Sequence, residues 1–347
     1  MRLPRFLSLT ATEIAMDLGS VNTVVYVRDE GIVLNEPSVV ALEMRNGTAQ
    51  TCAVGAEAKL MLGKTPDAVR TIRPIRDGVI ADFDVAESMI RHFLDKVYDG
   101  RSHLRRQPNV IVSIPSGATM VERRAICQAT INAGARNVWL IEEAMAAALG
   151  AGLPVIEPTG AMVVDIGAGT TEVAILSAGG LAYSKSIRVG GDRMDDAISS
   201  GIRRRHNFMI GERTAERIKV EVGTAVAPID GRGAVTRVRG LDMMQSMPAE
   251  IEVTAAEIAA SLAELIGQVV GAVMSALEQV APELAADIFD QGIVMTGGGS
   301  LLPRLDQALG DETGLPVIVA ENALTCVASG AGLAVEDAAL RAAIMAT

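Results

Sequence analysis

Aromatic side chains are scarce in this chain: five Phe, three Tyr and one Trp make up 3% of its 347 residues, although 49% are hydrophobic. Ala, Val, Ile, Leu and Met therefore fill the core, which suits an α/β protein with closely packed helices. Cysteine is almost absent. Cys52, Cys127 and Cys326 are scattered without metal-ligand spacing, which fits buried thiols in a reducing compartment. Basic charge is in deficit, with 31 Lys and Arg against 42 Asp and Glu. The net charge of −11 argues against nucleic acid as the main partner, because phosphate backbones bind basic surfaces. No apolar run reaches the ~18 residues of a membrane-spanning helix. Residues 1–10 lack the long apolar stretch and cleavage site of a signal peptide. Two nucleotide fingerprints are missing as well. No Gly-Lys-Ser/Thr completes a P-loop, and no Gly-x-Gly-x-x-Gly opens the first βα unit, which counts against a dinucleotide-dependent dehydrogenase.

Glycine is plentiful, 34 residues, and many sit at the ends of predicted strands rather than in a collagen-like or low-complexity pattern. The length allows about two domains, and the patterning repeats. Residues 14–16 lead into a glycine turn and residues 24–27 lead away from it, which predicts a hairpin. Asp84 is placed to cap a helix whose Val85, Met89, Ile90, Phe93, Leu94 and Val97 recur at spacings of three and four. Asn109–Ile114 is a predicted buried strand ending at Pro115-Ser116-Gly117. Residues 122–133 follow as a helix that stops at Gly134. Residues 137–141 are a strand before an alanine-rich helix that starts near Glu143. Residues 154–160 form a linker, and from Ala161 the order of strand, glycine turn and strand returns. A helix over about 254–280 carries Ile258, Leu262, Leu265, Ile266, Val269, Val273 and Leu277 on one stripe. Residues 292–295 are a strand running into Gly297-Gly298-Gly299. The expectation is an α/β fold of two duplicated domains around a central ligand cleft.

Two turns carry the chemistry. Asp17 and Asp165 each end an apolar strand, where a carboxylate needs a partner, water or a metal. Gly19, Ser20, Val21 and Asn22 follow the first, and Gly167, Ala168, Gly169 and Thr170 the second. The glycines leave backbone N–H groups uncovered, which makes a phosphate cradle. Two carboxylates facing one cleft are expected to hold a hydrated Mg²⁺, a cation that takes carboxylate and phosphate oxygens while keeping several waters. A lone Asp-x-Gly turn is often a plain β-turn. The pair, joined by the third glycine run, favours a nucleotide phosphate chain clamped by two half-molecules. Gly297, Gly298 and Gly299, with Leu302 beyond, are expected to lie flat against a nucleoside or to start a helix packed closely on a sheet, and the two are compatible.

Longer strings narrow the class. Asp17-Leu-Gly-Ser-Val-Asn-Thr, Gly31-Ile-Val-Leu-Asn-Glu-Pro-Ser-Val-Val, Arg73-Pro-Ile-Arg-Asp-Gly-Val-Ile-Ala-Asp-Phe and Glu143-Ala-Met-Ala-Ala-Ala closely resemble the MreB family of bacterial actin homologues. So do Asp165-Ile-Gly-Ala-Gly-Thr-Thr-Glu-Val, Arg188-Val-Gly-Gly-Asp, Ile210-Gly-Glu-Arg-Thr-Ala-Glu-Arg-Ile-Lys and Thr296-Gly-Gly-Gly-Ser-Leu-Leu, in order, from about residue 11 to 335. The glycine turns alone are shared by the wider actin, sugar-kinase and heat-shock chaperone superfamily. Leu-Asn-Glu-Pro-Ser and Asp-Gly-Val-Ile-Ala-Asp-Phe narrow it to MreB.

The resemblance implies an actin-like ATPase fold with a first domain over residues 11–153 and a second over 154–335. Each would hold an inserted small subdomain, with part of the C-terminus returning to the first domain and a tail at 336–347. It implies ATP and Mg²⁺ as cofactors, homopolymeric filaments of paired protofilaments, and slow polymerisation-linked hydrolysis. It places such a protein in the cytoplasm, peripheral at the inner face of the cell membrane, where it works with cell-wall elongation proteins to set rod shape. Asp17, Gly19, Ser20, Val21 and Asn22 match the first phosphate loop of the family. Asp165, Gly167, Ala168, Gly169 and Thr170 match the second. Glu216 and Lys219 match helix positions near the ribose and adenine, although by residue type alone a solvated face suits them better. Gly297, Gly298, Gly299 and Leu302 match the adenosine motif. Glu143 matches the acidic position that orients the attacking water, and Glu142 beside it is separated from it only by that match.

Two residues depart from the family pattern. Ala168 stands in a loop that is usually Gly-Gly-Gly; a position needing φ > 0 would make alanine cost about 1 kcal/mol, and any other would make the change small. Ala144 stands where proline usually pre-sets the first helical turn after Glu143. ATP binding is expected to survive both, with slow hydrolysis. Membrane contact is expected from residues 1–10, where Leu3, Phe6 and Leu7 share a face beside Arg2 and Arg5; a frayed terminus is the alternative. Residues 99–108, with Arg101, Leu104, Arg105 and Arg106, offer a second contact or a solvated loop. The rivals are a small-molecule kinase, which would show large insertions, and a chaperone ATPase, which would carry a substrate domain after the nucleotide domain. The expectation is against both.

Overall fold

The computed structural model describes residues 12–45, 48–66, 68–98 and 107–345. The expectations for residues 1–10, for residues 99–106 and for the last two residues of the tail lie outside the described residues. The chain divides into two compact units. The first takes the chain up to Ile114, Ala118–Ile141 and Ala331–Met345; the second takes Pro115–Gly117 and Glu142–Gly330.

The first unit runs through β1 (Glu13–Leu18), β2 (Asn22–Val27), β3 (Gly31–Pro37), β4 (Val40–Arg45), β5 (Thr48–Val54), α1 (Ala56–Met61), β6 (Val69–Ile72), β7 (Ile75–Arg76) and β8 (Val79–Ile80). It continues through α2 (Phe83–Tyr98), β9 (Asn109–Ile114), α3 (Met120–Asn132) and β10 (Asn137–Glu142). Its main sheet has the order β10-β9-β1-β2-β3, and β5-β4-β6 forms a smaller sheet. The expected hairpin is β1–β2, antiparallel, with β9 parallel to β1 on the other side. The period of three and four in α2 puts Val85, Met89, Ile90, Phe93, Leu94 and Val97 in one core with Ile14, Met16 and Val112. The cap of α2 is Asp82, not Asp84. The helix begins at Phe83, so Asp82 occupies the flanking position, and its Oδ1 accepts the Val85 N–H at 3.2 Å. α3 starts before the expected residue 122 because Thr119 and Glu122 form a reciprocal capping box.

The second unit contains α4 (Glu143–Gly150), β11 (Ala161–Ile166), β12 (Thr171–Ser177), β13 (Gly180–Ile187), α5 (Gly191–His206), β14 (Phe208–Met209), α6 (Glu212–Val222), β15 (Val235–Asp242) and β16 (Met247–Thr254). It continues with α7 (Ala255–Gln279), α8 (Pro282–Gln291), β17 (Ile293–Thr296), α9 (Leu305–Thr313) and β18 (Val317–Val319). α10 (Cys326–Glu336) follows, its residues from Ala331 on belonging to the first unit together with α11 (Ala338–Met345). The sheet order is β13-β12-β11-β17-β18, with β11 antiparallel to β12 and parallel to β17. β1 has the same two neighbours in the same senses, and Asp17 and Asp165 are each the fifth residue of a six-residue strand. The repeat seen in the sequence is thus a repeat of hydrogen-bonding pattern.

α7 has the stripe expected of it. By length and composition it is apolar enough to cross a membrane, yet its stripe is the middle of the second unit's core. Ile258, Leu262, Ile266, Val269 and Val273 are buried there, and Leu265 and Leu277 pack at the margin. Thr254 and Glu257 close its start as a capping box. The alanine-rich α4 has an equally plain cause. Gly150 and Gly330 leave no room for a Cβ against the backbone carbonyls of Cys326 and Ala146, so α4 and α10 touch main chain to main chain.

Candidate functional site

In the first unit the loop from β1 to β2 is held from three sides. Ser113 on neighbouring β9 donates from Oγ to Asp17 Oδ1 at 2.8 Å. Burial nevertheless pushes the Asp17 carboxyl up to about 6, the Ser113 hydrogen bond opposing it; a group so desolvated gains by receiving a cation. A Cβ on Gly19 would stand 2.6 Å from the Asn22 carbonyl oxygen, so the turn closes only around glycine. Ser38 Oγ donates to the Gly19 carbonyl at 2.6 Å and lies 2.9 Å from Thr23 Oγ1, while the Ser38 N–H donates to the Val21 carbonyl at 2.8 Å. Ser20 is buried, its Oγ accepting the Gly78 N–H at 3.3 Å. Asn22 donates to Asn35 Oδ1 at 3.1 Å. Glu36 accepts the Ala56 N–H at 3.1 Å and pairs with Lys96. The string Asn35-Glu36-Pro37-Ser38, informative in the sequence only as a family signature, is the brace of this loop.

The second loop is braced through its backbone. The Gly167 N–H donates to the Thr170 carbonyl at 2.9 Å, closing the turn, and Thr171 Oγ1 donates to the Val189 carbonyl at 2.7 Å. Behind it the Gly191 N–H reaches the Gly167 carbonyl at 3.0 Å and the Asp192 N–H the Ala168 carbonyl at 2.9 Å. A Cβ on Gly190 would lie 2.5 Å from the Ala168 oxygen and 2.7 Å from the Gly167 oxygen. That explains the first glycine of the Arg188-Val-Gly-Gly-Asp string. The non-glycine residues with positive φ among the described ones are Asp29, Asp77, Ala178, Asn207, Ser246 and Arg304. Ala168 is not among them, so its alanine is unstrained.

Asp165 is 5% exposed and accepts from Thr296 Oγ1 at 2.6 Å, its register partner on β17. On β12, opposite Asp165, Glu172 is buried and accepts from Ser186 Oγ at 2.5 Å and the Ser116 N–H at 3.2 Å; burial raises its carboxyl above the usual range. Gly297, at φ 78, and Gly299 have no room for a Cβ against Ile166. Close packing on the sheet is therefore what those two glycines serve. Gly298 opens the 3-10 turn Gly298–Leu301, and the Leu302 N–H closes it on the Gly299 carbonyl at 3.1 Å. Leu302 is buried, and a Cβ on Gly223, just past α6, would be 3.1 Å from its Cδ1. α6 thus meets the third glycine run.

Glu216 and Lys219 are half-buried, not a solvated face. Lys219 Nζ is 2.9 Å from Asp195 Oδ1 and donates to the Gly191 carbonyl at 2.9 Å. Glu143 is the first residue of α4, where a negative charge complements the helix N-terminus, and Glu142 flanks it; both are half-buried. Ala144, the second residue of α4, is fully buried, and the first turn forms without proline. The second unit therefore assembles Asp165, residues 167–170, Gly297, Gly298, Gly299, Leu302, Glu216 and Lys219, with Glu143 opening α4. The first assembles Asp17 and residues 19–22. Among the described residues no three His, Cys, Asp or Glu side chains converge on a metal position. Single desolvated carboxylates suit Mg²⁺, which keeps waters and takes phosphate oxygens. Ser38, Gly190, Asp195 and Thr296 escaped residue-level reasoning, because their partners are distant in sequence.

The family model described as MreB/Mbl protein matches residues 11–342. The cell shape-determining protein MreB of Escherichia coli (strain K12) is 52% identical over 336 residues, 96% of each chain. The cell shape-determining protein Mbl of Bacillus subtilis (strain 168) is 45% identical over 327 residues, 94% of this chain and 96% of that one. The crystal structure of MreB5 of Spiroplasma citri bound to ADP matches with a TM-score of 0.87 at 35% identity, covering 93% of this chain and 96% of that one. With its repeated sheet pattern, its two braced glycine loops and a match along nearly its whole length, this chain belongs to the MreB/Mbl family and has the actin-like fold.

Proposed function

We propose that this chain is an actin-like cytoskeletal protein that binds ATP, assembles with further copies of itself into filaments and sets rod cell shape. The observation that carries the reading is the pair of braced loops, residues 17–22 and 165–170, in a chain 52% identical to a cell shape-determining MreB. ADP in the Spiroplasma citri relative supports a nucleotide as the ligand. Residues 19–22 and 167–170 would offer N–H and hydroxyl groups to phosphates. Glu216, Lys219, Gly298 and Leu302 would meet the nucleoside. Asp17 and Asp165 would each face a hydrated Mg²⁺, which spreads the charge of the phosphates when bound. Glu143 is the group to orient water or accept its proton, and hydrolysis is slow because Ala144 holds that turn less firmly than proline would.

The finer reading is a protein peripheral to the inner face of the cell membrane, partnered by cell-wall elongation proteins. It is motivated by the apolar and basic composition of residues 1–10 and by Arg101, Arg105 and Arg106 in residues 99–108, where Leu104 is the one strong apolar residue; the contact is weak for one copy and made effective by many copies in a filament. Sedimentation tests the core claim. With Mg-ATP the purified chain is expected to pellet as filaments, and with lipid vesicles to pellet with them. Failure to bind Mg-ATP would overturn the nucleotide reading. Phosphorylation of a small molecule without assembly would turn it into a kinase. Unchanged vesicle binding after deleting residues 2–10 and neutralising Arg101, Arg105 and Arg106 would overturn the membrane contact.

A further inference from the structure

Lys219 does not reach out from α6 alone. Its ammonium is 2.9 Å from Asp195 Oδ1 on α5 and donates to the Gly191 carbonyl at 2.9 Å. Gly191 and Asp192, at the start of α5, are the same residues whose N–H groups hold the Gly167 and Ala168 carbonyls. One continuous path therefore runs from the helix proposed to meet the nucleoside, through Asp195 and the first turn of α5, to the second phosphate loop. Asp195 is 7% exposed, too deep to be a solvated surface acid, and it lies outside the residues proposed to touch ATP.

We propose that Asp195 is a positioning residue: its carboxylate fixes Lys219 for the nucleotide and couples α6 to the phosphate loop of residues 167–170. The inference rests on the ATP-binding reading. The charged groups facing Asp195 are Lys219 and Glu216 from α6 and Asp192 from its own helix. α7 meets α5 further along, at Gly201 against Ser261 and at His206 against Glu257. Burial raises the Asp195 carboxyl most, and Glu216 and Asp192 add to it; Lys219 opposes them, and the balance stands at about 6. The pair is charged above that pH and loses its anion below it. Nucleotide affinity is therefore full near pH 7.5 and falls as the pH drops through 6.

The test is Mg-ATP affinity by calorimetry between pH 5.5 and 7.5 for the unaltered chain, Asp195→Asn, Lys219→Met and the double variant, with circular dichroism to confirm folding. Asp195→Asn is expected to bind about tenfold more weakly at pH 7.5, the scale of a lost charge-assisted hydrogen bond. In the Lys219→Met background it should cost nothing further, and both single variants should lose the extra pH dependence of the unaltered chain. Additive losses, or an unaltered pH profile in Lys219→Met, would overturn the proposal while leaving ATP binding intact; the second comparison holds even if Asp195→Asn fails to fold. No binding by the unaltered chain would overturn the functional reading and this inference with it.

Discussion

Replacing Ala168 by glycine, the residue usual in this loop, is expected to weaken the protein. Ala168 lies outside the left-handed region, so glycine relieves no strain. It adds freedom to the unfolded chain, a loss of about 0.4–1 kcal/mol. The Ala168 methyl is half-buried, and removing it forfeits roughly half the ~0.8 kcal/mol of a fully buried methylene. The sum is about 1 kcal/mol, which lowers the melting temperature by about 2–4 °C for a cooperative unit of 150–250 residues. Nucleotide-free protein in a differential scanning calorimeter is the assay, with Mg-ATP affinity measured in parallel and expected to be no tighter. A rise in melting temperature would show that alanine is strained there and would refute the reasoning.

Ser38→Ala leaves the part-buried Gly19 carbonyl without its hydroxyl donor, at about 1 kcal/mol; denaturant melts should show that loss and calorimetry weaker Mg-ATP binding, and an unchanged pair of values would rule out the brace. Gly190→Ala puts a Cβ 2.5 Å from the Ala168 oxygen, where only backbone can move, so it should displace the second loop and reduce Mg-ATP affinity at least tenfold; affinity equal to that of the unaltered chain would contradict it. Asp17→Asn concerns pH. The folded Asp17 holds its proton up to about 6 against 3.8 ordinarily, so its ionisation costs the nucleotide-free fold stability that is intact below the lower value and lost as pH rises through the higher. The variant should therefore match the unaltered chain near pH 4 and exceed it at pH 8 in denaturant melts, while binding Mg-ATP more weakly. A stability gap that narrows toward pH 8 would argue against the burial cost.

Much of the scaffold was legible in the residues because its causes are short-range. A period of three and four marks α2 and α7, glycine turns mark the ends of β1 and β11, and the buried run at β9 has the bounds seen in the fold. The Asp17 and Asp165 loops were visible for the same reason, since each lies in one contiguous stretch. The cap of α2 fell two residues from its expected place, as two aspartates flank Phe83 and only the true first turn decides between them.

What the sequence determined alone was therefore local: the elements, the repeated strand–loop–strand order and the two aspartate loops. The tertiary structure decided whatever depends on partners far along the chain. Ser38 became the brace of Gly19 through the β2–β3 pairing. Thr296 came to Asp165 from 131 residues away because β17 lies parallel to β11. The stripe of α7 met its partners, Phe208 and Val238 among them, in the second unit's core, which periodicity alone does not name. The conformation of Ala168 was settled by the backbone of residues 190–192 behind it, and no local rule contains that contact.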